Sequence, residues 1–461
     1  MVATANHMTS ELTQGLKNGL ADVHYMVVGL GKTGLSCVRF LKAKGLKVSV
    51  VDSRDQPPGL NELSTEFVDV TTHTAGFDAG LMAAADVLVV SPGIAVSEPA
   101  IVAAQKQGVE VIGDVELFAR LATAPVIAIT GSNGKSTVTV LLSEMAKAAG
   151  KKVGVGGNIG TPVLELLDDE YDLYVLELSS FQLETTHSLN AKAAVVLNVT
   201  PDHMDRYVDE AAYAASKQAI YRGDGTMILN ADDAVVSAMA EPDRQAVWFS
   251  LDAAKDDHYG LRLDGDKLFL AQGNERIIAA DQLKIPGRHN LANAMAALAL
   301  GEAVGLPREA MVRALKTFSG LPHRTQWVAK VNGVDWYNDS KGTNVGATVA
   351  AIEGLDGPLI LIAGGEGKGA DFAELRAPLA DKVRQLILIG RDASLISEAV
   401  KGCCEVSYAT DMADAVKRAA MLAQAGDSVL LSPACASFDM FSGYEHRGEV
   451  FMAAVRGLAN G

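Results

Sequence analysis

Ile127-Ala128-Ile129-Thr130-Gly131-Ser132-Asn133-Gly134-Lys135-Ser136-Thr137 passes from an apolar, β-branched stretch through two glycines into a helical pattern. A strand that hands over to a glycine loop and then a helix is the unit of parallel α/β sheets, since parallel strands need a long crossover. The loop also carries chemistry. Its backbone N–H groups and the helix N-terminus suit phosphate, Lys135 offsets the charge of β and γ phosphates, and Ser136 or Thr137 can ligate Mg²⁺. Ile129 stands where the commoner phosphate-loop pattern has its first glycine. Asn133, Gly134, Lys135, Ser136 and Thr137 nevertheless keep the strand-to-helix context expected for ATP binding.

The same succession recurs on both sides. Apolar runs at 25–29, 48–52, 87–91, 126–130, 173–178, 194–198, 359–363, 386–390 and 428–432 predict strands, and helical periodicity fills stretches between them, as at 35–44 and 137–149. The fold class is therefore α/β with largely parallel sheets, and ligands are expected beyond the carboxyl ends of the strands. A helical stretch at 114–122 leading into a new strand, and the turn residues Gly320-Leu321-Pro322, predict three domains at 22–113, 114–320 and 321–461.

Three further motifs fall where ligands should collect. Val27-Val28-Gly29-Leu30-Gly31-Lys32-Thr33-Gly34 is a G-x-G-x-x-G, and Asp52 ends the next strand, followed by Ser53 and Arg54. Taken alone this fits a nicotinamide dinucleotide, and its geometry would hold any nucleotide diphosphate. Ser91-Pro92-Gly93 could form a second wall. Glu177 ends the apolar run 173–178, where a carboxylate is costly to bury unless it meets a cation; Mg²⁺ and a structural ion pair are both open. Asn198-Val199-Thr200-Pro201-Asp202-His203-Met204-Asp205-Arg206-Tyr207 sets His203 beside two aspartates, with Lys217 fourteen residues on. From the residues alone, Lys217 reads as a surface lysine on a helix at 210–221, paired with a carboxylate.

The composition of the 461-residue chain narrows the classes. Forty Lys and Arg against 56 Asp and Glu give a net charge of -16, which argues against a sequence-independent grip on nucleic acid or anionic lipid. The longest apolar stretch, 291–306, is broken by Asn293 and Glu302, so no membrane span is expected. Residues 1–21 lack a secretory pattern and read as a disordered extension. Four cysteines without C-x-x-C spacing suggest neither zinc nor a disulfide framework and fit a cytoplasmic protein.

T-G-S-N-G-K-S-T, L-E-L-S-S-F-Q-L, N-V-T-P-D-H-M-D-R-Y, L-P-H-R and N-D-S-K-G-T-N in this order resemble the ATP-dependent Mur ligases of bacterial cell-wall synthesis. G-L-G-K-T-G and S-P-A-C-A-S-F-D narrow the resemblance to the D-glutamate-adding member. It implies a monomer with a Rossmann-like N-terminal domain, a central P-loop ATPase-type mononucleotide-binding domain and a Rossmann-like C-terminal domain. The implied reaction joins D-glutamate to UDP-N-acetylmuramoyl-L-alanine through an acyl phosphate, with ATP and Mg²⁺. By the same resemblance the UDP-sugar meets Lys32, Thr33, Asp52, Ser53, Arg54, Ser91, Gly93, Asn158 and His203. ATP meets residues 133–137, Asn290, Asn293, Arg324 and Asp339, with Lys135, Glu177, His203 and Lys217 as the catalytic set. Mg²⁺ is held by Ser136, Glu177, His203 and a carbamate on Lys217, and D-glutamate by Lys341, Thr343, Lys368, Ser437, Phe438 and Tyr444. A nicotinamide dehydrogenase, another amide ligase of the same superfamily, and a nucleotide-gated interaction module without catalysis are the rival classes.

Overall fold

The computed structural model describes residues 23–285, 287–355 and 357–459; the stretch read as a disordered extension lies outside them. Three sheets follow one another along the chain. The first contains β1 (His24–Val28), β2 (Lys47–Val51), β3 (Thr71–His73), β4 (Val87–Val90) and β5 (Glu110–Ile112), ordered β3-β2-β1-β4-β5 and parallel throughout. Reversal of strand order between β1 and β4 opens the crevice where such sheets bind ligands. Gly34 sits so close to the turn after β1 that a Cβ there would lie 1.9 Å from Gly29 O, which fixes glycine at this step of the motif.

The second sheet contains β6 (Val126–Thr130), β7 (Val153–Gly157), β8 (Leu173–Glu177), β9 (Ala193–Val196), β10 (Thr226–Asn230), β11 (Ala246–Ala253), β12 (Tyr259–Asp264), β13 (Lys267–Gln272) and β14 (Glu275–Ala279), ordered β14-β13-β12-β11-β10-β9-β6-β8-β7. β6 is buried along its whole length, as expected of a central parallel strand covered on both faces. Gly134 caps the helix Lys135–Ala148 at φ 84°, and a Cβ there would meet Asn293 Oδ1 at 2.5 Å. Backbone conformation and close approach both require glycine at that position.

The third sheet contains β15 (Gln326–Val331), β16 (Val334–Asn338), β17 (Leu359–Gly364), β18 (Val383–Ile389), β19 (Glu405–Tyr408) and β20 (Ser428–Leu431), ordered β15-β16-β20-β17-β18-β19. The expectation of largely parallel sheets holds, with β12, β13 and β14 pairing antiparallel, and β15 with β16. The predicted strands fall on β1, β2, β4, β6, β8, β9, β17, β18 and β20, displaced at most three residues at an end.

The first and second sheets share one apolar cluster. Leu35, Val38 and Leu41 of the helix Lys32–Ala43 join Val115 and Phe118 of the helix Asp114–Ala119, and Leu164 and Tyr174 beyond it. The third sheet approaches the second through the helices Arg288–Ala303 and Val345–Gly354. Polar groups at the carboxyl ends of β6, β8 and β16 thereby converge.

Candidate active site

The loop after β6 is braced from β9. Asn133 N donates to Asn198 Oδ1 at 2.8 Å, Ser132 Oγ to Thr200 O at 2.9 Å, and Asn198 Nδ2 to Asn133 O at 3.1 Å. Lys135 Nζ lies back over the loop, donating to Gly131 O at 2.7 Å and Ser132 O at 2.9 Å. Burial, chiefly, pushes its pKa below the usual lysine value. Lys217 Nζ donates to the same Gly131 oxygen at 3.0 Å.

Lys217 departs from its surface reading. It is 1% exposed on the helix Glu210–Gln218, has no carboxylate ion pair among the described residues, and lies 4.4 Å from the Tyr213 ring centroid. Burial, then the charge of Lys135, holds its pKa well below the ordinary value. Helical periodicity could not show this, because the face that carries Lys217 packs under the phosphate loop.

Glu177, 2% exposed, accepts from Asn158 Nδ2 at 2.8 Å through Oε1, while Oε2 is buried without a hydrogen-bond partner among the described residues. An orphaned carboxylate oxygen beside Lys135 and the phosphate loop suits a cation. His203 stands at φ 58° with its ring 4.9 Å from that of Phe181. Burial lowers its pKa, against the pull of Asp202. A left-handed histidine is held there only by its surroundings.

Two cavities flank these groups. The first, about 630 Å³, is lined by Lys32, Thr33, Ser53, Arg54, Ser91, Gly93 and Asn158, and also by Gln182. Asp52 stands behind its wall rather than in it. Fully buried, it accepts from Leu30 N, Arg54 N and the Arg54 guanidinium, so its oxygens shape the turn and hold Arg54 instead of facing a sugar hydroxyl. Burial alone would raise its pKa; the Arg54 and backbone bonds bring it down to about 2. Lys32 Nζ crosses the mouth to Gly160 O at 2.8 Å.

The second cavity, about 700 Å³, is lined by Asn133, Gly134, Thr137, Asn290, Asn293, Arg324, Asp339 and Lys341. The third sheet reaches across it: Arg324 Nη2 donates to Ser136 Oγ at 2.7 Å, and Asn344 Nδ2 to Asn133 Oδ1 at 3.3 Å and Asp202 Oδ2 at 3.1 Å. Asp339, raised to about 6 by burial, accepts from Thr325 N and Ser432 Oγ. Lys341 Nζ lies 4.1 Å from the Tyr444 ring centroid, and burial, then Arg324 and Lys135, lower it to about 8.

Thr343, Lys368, Ser437, Phe438 and Tyr444 line neither cavity. Lys368 is exposed at φ 51°, Ser437 is buried, and Phe438 is 68% exposed, so the phenyl ring encloses nothing here. Sequence reasoning missed Arg447. It is 1% exposed, and its guanidinium donates to Ser340 Oγ, Ser340 O, Cys435 O and Ala436 O, tying the loop before Lys341 to the loop before Ser437. A charged residue on an otherwise amphipathic C-terminal helix gave no hint of burial.

Family models match in sequence along the chain: the Mur ligase MurD-like N-terminal domain over residues 23–113, the Mur ligase middle domain over 129–301, and the Mur ligase glutamate ligase domain over 323–435. The chain belongs to the Mur ligase family. This Mur ligase is 57% identical over 434 residues to the UDP-N-acetylmuramoylalanine--D-glutamate ligase of Nitrosococcus oceani, covering 94% of this chain and 96% of the relative. It is 54% identical over 442 residues to the enzyme of the same name from Marinobacter nauticus, covering 95% and 99%. Among solved structures, a pseudomurein peptide ligase type C from Methanothermus fervidus has TM-score 0.61 at 19% identity, covering 95% of this chain and 99% of that one. MurF from Acinetobacter baumannii likewise has TM-score 0.61, at 16% identity, covering 97% and 98%. The fold of these ligases is therefore shared over 95–97% of the chain. No helix among the described residues is long and apolar enough to cross a membrane.

Proposed function

We propose that this Mur ligase joins D-glutamate to UDP-N-acetylmuramoyl-L-alanine at the expense of ATP, acting as a cytoplasmic monomer whose three domains divide near 22–113, 114–320 and 321–461. One observation carries the reading. Asn158 lines the first cavity and holds Glu177, and Glu177 pairs along β8 with the strand that ends in the phosphate loop. A sugar nucleotide in the first cavity and a nucleoside triphosphate in the second would meet at that carboxylate. The relatives' names supply the chemical identity of the reactants.

Amide formation from a carboxylate needs a leaving group on its carbonyl carbon. In this reading the alanyl carboxylate attacks the γ-phosphorus of ATP; one P–O bond forms, the bond to ADP breaks, and an acyl phosphate results. The amine of D-glutamate then attacks the carbonyl carbon, loses a proton, and phosphate departs with the electron pair. Lys135 and Arg324 offset charge on the transferring group, and the braced loop presents its N–H groups without reorganisation. Mg²⁺, held by Ser136, Glu177, His203 and Lys217, supplies further charge compensation when bound. Lys217 suits that set as a carbamate, since burial and then Lys135 disfavour its charged form, the neutral amine is what adds CO₂, and the product is an anionic oxygen donor. Lys341, Thr343, Lys368, Ser437, Phe438 and Tyr444 belong to the D-glutamate side, where Arg447 holds two of the loops. Bringing two anionic reactants together across domains makes positioning the main contribution of the C-terminal domain.

Phosphate release with ATP, Mg²⁺ and UDP-N-acetylmuramoyl-L-alanine tests the reading. D-Glutamate should support turnover, whereas L-glutamate, alanine and diaminopimelate should not. Equal turnover with L-glutamate, or none with D-glutamate, would overturn it.

A further inference from the structure

The second cavity has a polar end at the phosphate loop and an apolar end away from it. At the apolar end β11 presents Phe249 and Leu251, two residues apart and so on one face, beside Ile285. The opposite wall comes from the third sheet. Trp327 and Tyr337 are direct partners across β15 and β16, which puts both side chains on one face, and both line the cavity. The pairing shifts between Trp327 and Ala329, and Val328 and Ala329 pack against the apolar cluster of the third sheet while Trp327 faces the cavity.

Trp327 is 55% exposed, unusual for so large an apolar side chain, yet it is not loose. Its Nε1 donates to Asp335 Oδ1 at 3.1 Å, and Lys330 Nζ donates to Asp335 Oδ2 at 3.0 Å. The single polar atom of the indole is thereby anchored to a carboxylate that is itself neutralised, so ring orientation is fixed before any ligand arrives. A flat, weakly polar ring system fits between such walls, and the far end of a phosphate-loop ligand is its base.

We propose that Trp327 is the platform on which the purine ring of ATP stacks, supplied by the C-terminal domain. This rests on the ATP-dependent reading above and deepens it: the base is sandwiched between β11 of the second sheet and β15 of the third, whose residues line one cavity. Stacking of a base on an aromatic side chain corresponds to about tenfold or more in affinity.

The test uses the full chain and AMP-PNP, a non-hydrolysable ATP analogue. The chain has three tryptophans, Trp248, Trp327 and Trp336, the last buried. Intrinsic fluorescence should change on AMP-PNP addition in the wild type and in Trp248→Phe, and should not change in Trp327→Phe. By calorimetry Trp327→Ala should weaken AMP-PNP binding about tenfold, and Trp327→Phe, which keeps an aromatic face, should stay within about threefold of wild type. KM for the UDP-sugar and for D-glutamate should not move. Wild-type AMP-PNP affinity in Trp327→Ala, a response retained in Trp327→Phe, or a parallel rise of all three KM values would overturn the proposal while leaving the ligase reading standing. A wild-type protein that bound no AMP-PNP would overturn both.

Discussion

Lys217→Met exchanges a buried amine for a thioether of similar length, and the surroundings set what that costs. The bond to Gly131 O at 3.0 Å is lost, a net contribution of about 1 kcal/mol. Gly131 O is not orphaned, because Lys135 Nζ still donates to it at 2.7 Å. Contact with the Tyr213 ring contributes a further ~0.5–1 kcal/mol while the amine is charged. Against these losses, burial and the neighbouring Lys135 disfavour the cation. The lysine pKa is lower folded than unfolded, so between the two values the unfolded chain binds more protons and stability rises with pH. Below both values the burial cost is present in full, and methionine removes it. In the uncarbamylated protein these terms oppose one another, and the unfolding temperature should stay within about 3 °C of wild type or rise. Ligation, by contrast, should fall at least about a hundredfold on the proposed assignment of Lys217 to the metal set. Calorimetry and phosphate release read the two effects separately, and labelled bicarbonate should give a carbamate carbon signal in the wild type that is missing in the variant. Full activity in Lys217→Met, or a carbamate signal that survives, would refute the assignment; a collapse of stability would show that the lysine is structural.

Lys135→Met should reduce ligation about a thousandfold while UDP-sugar affinity, measured by calorimetry, stays within about threefold, since Lys135 does not line the first cavity. Arg324→Met removes the bond from the third domain to Ser136; with AMP-PNP and UDP-sugar bound, the radius of gyration from small-angle scattering should then be larger than that of the wild type. Lys341, lowered to about 8 by its burial first and then by Arg324 and Lys135, loses its charge as pH rises through that value, so KM for D-glutamate should climb above about pH 8. Lys341→Arg should move the climb to higher pH in the steady-state pH profile.

The central strands were legible because parallel strands covered on both faces are unbroken apolar runs; β6 and β17 carry no polar interruption before their loops. The hairpins at β12, β13 and β14 were not: β12 alternates Leu with Arg and Asp, and the apolar runs of β13 and β14 are short and follow charged residues at each strand's start. The phosphate loop could be read because its chemistry is local in sequence. Burial of Lys217 and Arg447, the retreat of Asp52 behind the cavity wall and the aromatic wall at Trp327 could not, because each depends on which distant element packs against it. Phe438 is the converse case: a residue placed by resemblance whose side chain the fold leaves exposed.

The most direct measurement follows the oxygen atoms. With the alanyl carboxylate of UDP-N-acetylmuramoyl-L-alanine labelled in both oxygens, attack on the γ-phosphorus carries one label into the acyl phosphate bridge, and amide formation delivers it to phosphate. Mass analysis after incubation with ATP, Mg²⁺ and D-glutamate should find one labelled oxygen in each phosphate released and the other in the new amide carbonyl. Unlabelled phosphate, or ATP hydrolysis that leaves the UDP-sugar without glutamate, would contradict the mechanism.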